Sequence, residues 1–320
     1  MKHNIILYVL LVTVLLIAGC DSNQSNTGGL NPFIGGSKAI NMDFVANSPP
    51  PEINNLNFGF SIAVRLENVG ESDIRDGFLE VRGISPQEFG VNREQLRQDI
   101  PEIRGARKIS DGSVSRGSAE VVSFDDLSYN QQLTGNLRID RLQVRACYDY
   151  QTRVSTLLCI KEGNIDGMKD NEICRVDSNK RVSNSGAPIH VTQVTQSSRG
   201  DRGIQISFEI SHVGSSSNRW FPKGDDMCDD RINNQDMYKV GVTVHPIING
   251  QYAASCTSGN FNSGNTGVVT LHSGQPTRVV CRFDIGDQMA DFETPLSIEL
   301  DYRYMQSVET SLVIRDMNVN

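Results

Sequence analysis

The sequence lacks the short motifs by which most catalytic and redox sites are recognised. It contains no CxxC pair, no HExxH run, no G-x-S-x-G elbow, no P-loop and no GxGxxG turn. Beyond the N-terminal segment its histidines occur singly, at spacings that match no catalytic pair: His190, His212, His245 and His272. We therefore predict a protein that is not an enzyme and needs no cofactor. A glycan-acting enzyme of unknown type is the least favoured alternative.

Positive charge is also scarce. The chain carries 30 Lys and Arg against 38 Asp and Glu, a formal net charge of −8, and no long basic block occurs. A protein that neutralises phosphates carries a basic face. The balance therefore predicts no nucleic-acid partner, and it is unlike that of a peripheral protein held by anionic lipids.

The one pronounced apolar run lies at the N-terminus, from Ile5 to Ala18. A membrane-spanning helix needs roughly 20 apolar residues, so this run is better suited to a secretory signal peptide. It ends in Ile17-Ala18-Gly19-Cys20, which resembles the lipobox of prokaryotic lipoproteins. The resemblance implies a signal peptide over residues 1–19 and lipidation of Cys20. The alternatives are an ordinary signal peptide or an uncleaved anchor, with Cys20 incidental.

The next segment, residues 20–38, is rich in Ser, Asn and Gly. Such a composition is typical of a flexible linker. We therefore predict a tether that lifts a folded body off the membrane. The remaining chain, about 280 residues, is long enough for two domains of ordinary size.

An internal repeat gives the organisation of that body. At an offset of 154, "YDYQTRVSTLLCIK" from Tyr148 matches "YRYMQSVETSLVIR" from Tyr302. At an offset of 144, "FSIAVRLENVG", which ends at Gly70, matches "IQISFEISHVG", which ends at Gly214. Two matches in the same order indicate two copies of one unit.

The pattern within each copy is typical of β-strands. "FSIAVRLENVG" alternates apolar and polar residues and then ends at a glycine, and "LQVRACYDY" and "VSTLLCIK" alternate as well. The polar residues Gln151, Thr152 and Arg153 between the last two segments suggest a hairpin loop. About seven short strands per copy predict an all-β fold of two tandem immunoglobulin-like β-sandwiches, forming a rod. The predicted domains are residues 39–162 and 187–320, joined by a linker over 163–186.

The strand ends Glu67-Asn68-Val69-Gly70 and Ser211-His212-Val213-Gly214 resemble the adhesion-related Ig-like modules of prokaryotic surface proteins. Three further segments, "CYDYQTRVSTLLCI", "APIHVTQV" from Ala187 and "TPLSIELDYRY" from Thr294, are similar to uncharacterised exported lipoproteins of prokaryotes, archaea above all. The resemblance covers most of the mature chain. It implies an architecture, tandem Ig-like domains, and no particular activity.

Six cysteines remain besides Cys20, and an even number in an exported chain predicts disulfides before metal ligands. A symmetric hairpin about Arg153 would place Cys147 opposite Cys159, so we predict that pair. Two free thiols, or a bond from Cys159 to Cys174, are the alternatives. The other predicted bonds are Cys256–Cys281 and Cys174–Cys228.

Two loop features are candidate binding sites. The acidic loop of the second copy offers carboxylates for a structural calcium ion at Asp225, Asp226, Asp229 and Asp230. It lacks the D-x-D-x-D-G spacing, and a solvated charged loop is the alternative. The neighbouring residues Arg219, Trp220 and Phe221 would bind a sugar or a protein if the aromatic rings were exposed. The alternative is that these rings fold back onto the sandwich.

Together these patterns predict an exported lipoprotein, anchored by its lipid to the cell membrane and facing the periplasm or the cell surface. We expect a non-enzymatic binding, adhesion or envelope-assembly module, with a protein or glycan partner at the surface. The alternative is a structural subunit of a cell-envelope or surface-layer assembly that packs by its sheet edges.

Overall fold

A computed structural model describes residues 31–56, 59–164, 173–200, 202–226, 228–231, 234–257, 261 and 264–317. The predicted signal peptide and Cys20 lie outside these residues. From Pro32 onward the chain forms one compact unit. The described residues include no helix long and apolar enough to cross a membrane.

The described chain folds into strands with two single 3₁₀ turns, at Glu162–Asn164 and His272–Gly274, which confirms the predicted all-β class. The strands are β1 (Ile40–Phe44), β2 (Glu52–Asn54), β3 (Phe60–Asn68), β4 (Gly77–Arg82), β5 (Arg97–Asp99), β6 (Arg107–Lys108), β7 (Val114–Ser115), β8 (Ala119–Leu127), β9 (Leu137–Ile160), β10 (Ser178–Lys180), β11 (Val182–Asn184), β12 (Ile189–Ser198), β13 (Gly203–His212), β14 (Arg219–Phe221), β15 (Lys239–Val244), β16 (Ser255–Cys256), β17 (Thr266–Thr270), β18 (Thr277–Asp284) and β19 (Phe292–Arg315).

Three larger sheets and one small hairpin contain these strands. The central sheet has nine strands, in the order β17-β15-β19-β9-β4-β5, with β11, β14 and β2 paired at its sides. The N-terminal sheet is β1-β3-β8, and the C-terminal sheet is β10-β12-β13-β18-β16. Strands β6 and β7 pair only with each other. Inward-facing side chains of the three larger sheets form one contiguous apolar core.

The internal repeat is visible in the strand pairing. In the first copy β3 lies between β1 and β8, and in the second copy β13 lies between β12 and β18. In the central sheet the order β9-β4-β5 recurs as β19-β15-β17. Six strands of each copy therefore correspond in sequence order and in partners. The half-buried alternation seen in β3 recurs in β13, since each strand presents its apolar residues to the core.

The two copies join through their longest strands. Strands β9 and β19, of 24 residues each, pair antiparallel along nearly their whole length. The predicted hairpin at Gln151 to Arg153 is therefore wrong, because β9 continues straight through these residues. Thr152 points into the core, where its hydroxyl donates to the Ile189 carbonyl at 2.7 Å. Thr152 therefore occupies an inward-facing position of β9 although its side chain is polar.

The domain organisation is correspondingly different from two sandwiches in line. Residues of both predicted domains form one central sheet and one compact unit. Within the predicted linker, β10 pairs with β12 and β11 pairs with β9, so this segment is part of the sheets. A rod of two separate domains would have required a boundary with few contacts.

The disulfides confirm one predicted pair and correct two. Cys256 and Cys281 are bonded, on opposite positions of β16 and β18, as predicted. Cys159 is bonded to Cys174, which was the stated alternative, and Cys147 is bonded to Cys228. The predicted Cys147–Cys159 pair is wrong because β9 is one extended strand, which holds these two positions far apart. The predicted Cys174–Cys228 pair is wrong because each of these cysteines is bonded to a cysteine of β9 instead.

Candidate functional site at the N-terminal junction

The inner face of the central sheet is built around tyrosines of the repeat motif. Tyr148 lies opposite Tyr304, and Tyr150 lies opposite Tyr302. All four are at most 2% exposed, with neighbouring ring centroids 6.0–6.3 Å apart. Burial raises the pKa of each of these phenols. They stay protonated at neutral pH and pack as a structural layer.

The two repeat motifs found in the sequence contact each other at the ends of this layer. A Cβ at Gly70 would lie 2.0 Å from the Tyr150 hydroxyl, and a Cβ at Gly214 would lie 2.6 Å from the Tyr304 hydroxyl. Glycine therefore recurs at both positions because each strand turn passes directly over a tyrosine hydroxyl. The repeated glycine is therefore explained by close packing against a tyrosine at each position.

A histidine–tyrosine hydrogen bond in the second copy resembles an acid–base pair but lies against the core. His212 Nε2 and the Tyr304 hydroxyl are 2.8 Å apart, and the imidazole stacks on Trp220 at 4.3 Å between ring centroids. Burial, with a contribution from the Arg219 charge, lowers the pKa of His212 to about 4. The imidazole is therefore neutral at pH 7, and its partner is a phenol whose pKa is raised. This pair is suited to packing rather than to proton transfer.

The predicted aromatic binding site lies in the interior. Arg219, Trp220 and Phe221 form β14, which pairs with β19. Trp220 is 1% exposed and Phe221 is 0% exposed, so neither ring offers a surface for stacking on a sugar. The structure agrees with the alternative, in which the rings fold back onto the body, because the pairing of β14 with β19 places both rings among buried residues.

The acidic loop after β14 is held against the outer face of the central sheet by buried arginines. The Arg303 guanidinium donates to the Asp149 carboxylate and to the Asp225 carbonyl, both at 2.7 Å. The Arg145 guanidinium pairs with Glu80 at 2.7 Å and with Asp230 at 3.3 Å. The Cys147–Cys228 disulfide joins the same loop to β9.

This arrangement does not collect the predicted calcium ligands. Asp229 pairs with Arg231, Asp230 pairs with Arg145, and an oxygen of Asp225 accepts the Cys228 N–H. Asp226 contributes its carbonyl, which accepts from Arg97 at 3.1 Å. Within the described residues no group of three or more His, Cys, Asp or Glu side chains is placed to hold a metal ion.

The segment through which the chain enters the body is fixed by Glu71, which follows the turn at Gly70. Its carboxylate accepts the N–H groups of Ile34 at 3.0 Å, Gly35 at 2.9 Å and Gly186 at 2.6 Å. Glu71 is only 7% exposed. Backbone N–H bonds to a buried carboxylate are strong and directional. They attach the end of the predicted tether to the turns between strands.

Beside this attachment lies a cleft of about 720 Å³, here called the junction cleft. Its lining includes Pro32 and Phe33 of the entering segment and the outward-facing residues Asp149, Gln151 and Arg153 of β9. The remaining charged side chains come from loops and from β6: Glu71, Asp73, Arg75, Asp76, Arg107, Lys108 and Lys223. The alternation of β9 produces this arrangement, since the tyrosines fill the inner face and the polar residues between them face outward.

The charges of the junction cleft are largely paired. Asp73 Oδ2 lies 3.1 Å from both Arg75 and Arg107, and its other oxygen accepts the Gly105 N–H at 2.9 Å. Burial would raise the pKa of Asp73, but this N–H and the two arginines lower it overall. Arg153 lies 5.8 Å from the Phe33 ring centroid, and Lys223 pairs with Asp301 at 2.9 Å. Five cations and four carboxylates line the cleft.

Sequence reasoning did not identify these residues. Glu71 and Asp73 stand in "GESDIR" directly after the repeated glycine, so a charged run at that turn was the available signal. The contributions of Arg107 and Arg153 depend on non-local packing.

Compared with known proteins, the chain matches no protein-family model and no curated protein.

Proposed function

We propose that this protein is an exported, lipid-anchored lipoprotein that acts as a non-enzymatic binding module, holding an ionic partner in the junction cleft. The position of the cleft carries the proposal. Pro32 and Phe33, which belong to the C-terminal part of the predicted tether, line the same cleft as five cationic side chains. A partner bound there lies beside the anchor, which suits envelope assembly or attachment to a surface component.

Two further features support export and presentation. Three disulfides are typical of an oxidising compartment outside the cytoplasm. Glu71 attaches the entering segment to the body, so a lipidated Cys20 would keep this end of the body near the membrane. The Ig-like character of each copy belongs to this proposal, with support from the way each copy contributes strands to its own sheet and to the central sheet.

Charge reversal at the cleft tests the binding role. The lipidated protein is reconstituted in detergent micelles and used for glycan arrays and for pull-downs from solubilised envelopes. We expect Arg75→Glu with Arg107→Glu to lose the captured partner. The matched control is Arg138→Glu with Arg141→Glu, which changes two exposed arginines of β9 that also pair with acidic neighbours. A partner retained by the cleft variant, or lost equally by the control, would contradict the assignment.

Assembly through sheet edges remains the alternative, and one observation favours it. Strand β8 borders the N-terminal sheet, and within the described residues its outer edge pairs with no other strand. Against this alternative, the acidic residues Glu120, Asp125 and Asp126 of β8 are of the kind that discourages strand addition, which places it second to the cleft. Concentration-dependent oligomers in sedimentation velocity, unaffected by the cleft variant, would favour the structural subunit.

A further inference from the structure

The loop between the central sheet and β8 contains a small hairpin with unusual charge for this protein. Residues 104–118 include four cations, Arg104, Arg107, Lys108 and Arg116, and one carboxylate, Asp111, for a net charge of +3. The whole chain has a net charge of −8. All five of these side chains are exposed. We call residues 104–118 the basic hairpin.

The basic hairpin also exposes apolar side chains near its turn. Strands β6 and β7 pair Arg107 with Ser115 and Lys108 with Val114, and the turn closes through a hydrogen bond from Ile109 N–H to the Ser113 carbonyl at 2.8 Å. Ile109 is 48% exposed and Val114 is 52% exposed. Cations around exposed aliphatic residues are typical of segments that lie in a lipid headgroup layer.

The base of the hairpin is fixed to the same turn as the predicted tether. Ala106 N–H donates to the Gly70 carbonyl at 2.7 Å, and Gly105 N–H donates to Asp73. Arg107 and Lys108 share the lining of the junction cleft with Pro32 and Phe33. The basic hairpin therefore lies beside the point where the chain leaves the body towards Cys20.

The length of the tether limits how far this face is from the membrane. Eleven peptide steps separate Cys20 from Asn31. A flexible Gly- and Ser-rich chain of that length has a root-mean-square extent of about 18 Å. The attraction of cations to anionic lipids decays over a Debye length of about 8 Å at physiological salt. A lipidated Cys20 would thus hold the hairpin at a high effective concentration next to the headgroups.

We propose that the basic hairpin contacts anionic lipid headgroups through Arg104, Lys108 and Arg116, with Ile109 and Val114 entering the interface. This inference rests on the proposed anchoring and concerns the hairpin beside the junction cleft. Within the described residues Arg104 and Arg116 form no ion pair with a carboxylate. Arg107 is paired with Asp73 and has a smaller part. The contact orients the body, while the lipid provides the anchor.

Another exposed apolar residue shows why charge selects the hairpin. Met289 is 91% exposed, more than either aliphatic residue of the hairpin. Its neighbours along the chain are acidic, at Asp284, Asp287, Asp291 and Glu293, and no cation occurs over residues 284–293. Anionic lipids would repel that segment. Residues 284–293 therefore serve as an internal control within the same protein.

Hydrogen exchange on vesicles tests the proposal with the full lipidated chain. The protein is reconstituted in phosphatidylcholine vesicles and in vesicles containing 30 mol% phosphatidylglycerol, an amount chosen for the assay. Amide exchange is then followed in peptides covering 104–118 and 284–293. We expect slower exchange in 104–118 on the anionic vesicles only, by about fivefold for each cation that reaches the surface. The 284–293 peptide should exchange equally on both.

Matched variants complete the test. Lys108→Glu with Arg116→Glu should abolish the protection, since two reversals remove about 25-fold or more of the binding. Arg138→Glu with Arg141→Glu should retain it, and unchanged exchange in β13, which contains none of the substituted residues, reports that each variant is folded. Equal exchange on both vesicle types, protection that survives the hairpin reversal, or loss in the control variant would overturn the proposal. Sedimentation with the vesicles tests the anchor separately: a chain that fails to sediment refutes the proposed anchoring, whereas one that sediments without hairpin protection refutes this contact alone.

Discussion

Replacing Arg303 with methionine should be among the most destabilising single changes outside the apolar core. The Arg303 side chain is 2% exposed, and its guanidinium contacts Asp149 at 2.7 Å, the Asp225 carbonyl at 2.7 Å and Asp76 at 3.1 Å. Methionine fills a similar volume but leaves Asp149, whose side chain is only 16% exposed, without its countercharge. Breaking a buried ion pair on one side costs about 3–5 kcal/mol. We expect Arg303→Met to lose this amount of unfolding free energy.

Urea unfolding of the oxidised protein, followed by circular dichroism, measures the loss. In thermal unfolding of a protein of this size, 1 kcal/mol corresponds to roughly 2 °C in Tm, so the Tm of Arg303→Met should be lower by about 6–10 °C. Arg315→Met is the matched control, because Arg315 pairs with Glu52 at 2.6 Å while remaining 55% exposed. An exposed pair of this kind contributes about 0–1 kcal/mol.

A double-mutant cycle distinguishes an ion pair from simple loss of packing. The double variant Arg303→Met with Asp149→Leu removes both charges, and it should be more stable than the sum of the single losses predicts. Equal losses for Arg303→Met and Arg315→Met, or strict additivity in the cycle, would refute the reasoning.

Three further predictions concern the frame of the molecule. Non-reducing peptide mapping should show Cys147–Cys228, Cys159–Cys174 and Cys256–Cys281, and removing the first, which spans 81 residues, should cost about 4.5 kcal/mol against about 3 kcal/mol for the second, which spans 15; equal urea midpoints for both double Cys→Ala variants would contradict this. Gly70→Ala should destabilise by about 1–3 kcal/mol because its Cβ meets the Tyr150 hydroxyl at 2.0 Å, whereas Gly241→Ala, whose nearest contact is 3.3 Å, should cost less in the same assay. The pKa of His212 is about 4 in the folded state against 6.5 when unfolded, so the unfolded state binds more protons and stability should fall as pH drops from 6.5 to 4; His212→Asn, which copies Asn68 of the first copy, should show a smaller fall, and an unchanged pH dependence would exclude this origin.

The strand content and the repeat could be predicted because both depend on local alternation. Tyr148, Tyr150, Val154 and Leu158 all face the core, as the pattern indicated. The sequence wrongly predicted a hairpin loop at Thr152, because a polar residue at an inward-facing position of a strand has the same local pattern as a turn. In the structure its hydroxyl is satisfied by the Ile189 carbonyl. A buried threonine with a hydrogen-bond partner costs little, but the partner comes from another strand.

The same limit explains why the sequence could not decide between the alternatives at the acidic loop and at Trp220. Local composition suggested solvent exposure, because serines and aspartates surround these residues. The loop is held by Arg145 and Arg303, and Trp220 is buried by the pairing of β14 with β19; both depend on β9 and β19, which lie far away in the sequence. Bonds from Arg145 to Asp230 and from Arg303 to the Asp225 carbonyl hold the acidic loop against the central sheet. Long-range pairing of this kind has no signature in a single sequence.

The joining of the two copies nevertheless left a trace in the repeat. The offset of 154 places Arg303 over Asp149, and Asp149 is also the residue that Arg303 faces across the β9–β19 ladder. This position therefore pairs with its own counterpart. An identical charged residue in both copies would place like charges opposite each other, which is destabilising. The two copies instead carry opposite charges, bonded at 2.7 Å. Tyr148 and Tyr150 can recur unchanged because each faces the other's counterpart across the ladder, Tyr304 and Tyr302, and neutral rings tolerate such neighbours. The divergence at residue 149 is therefore what pairing between the copies requires.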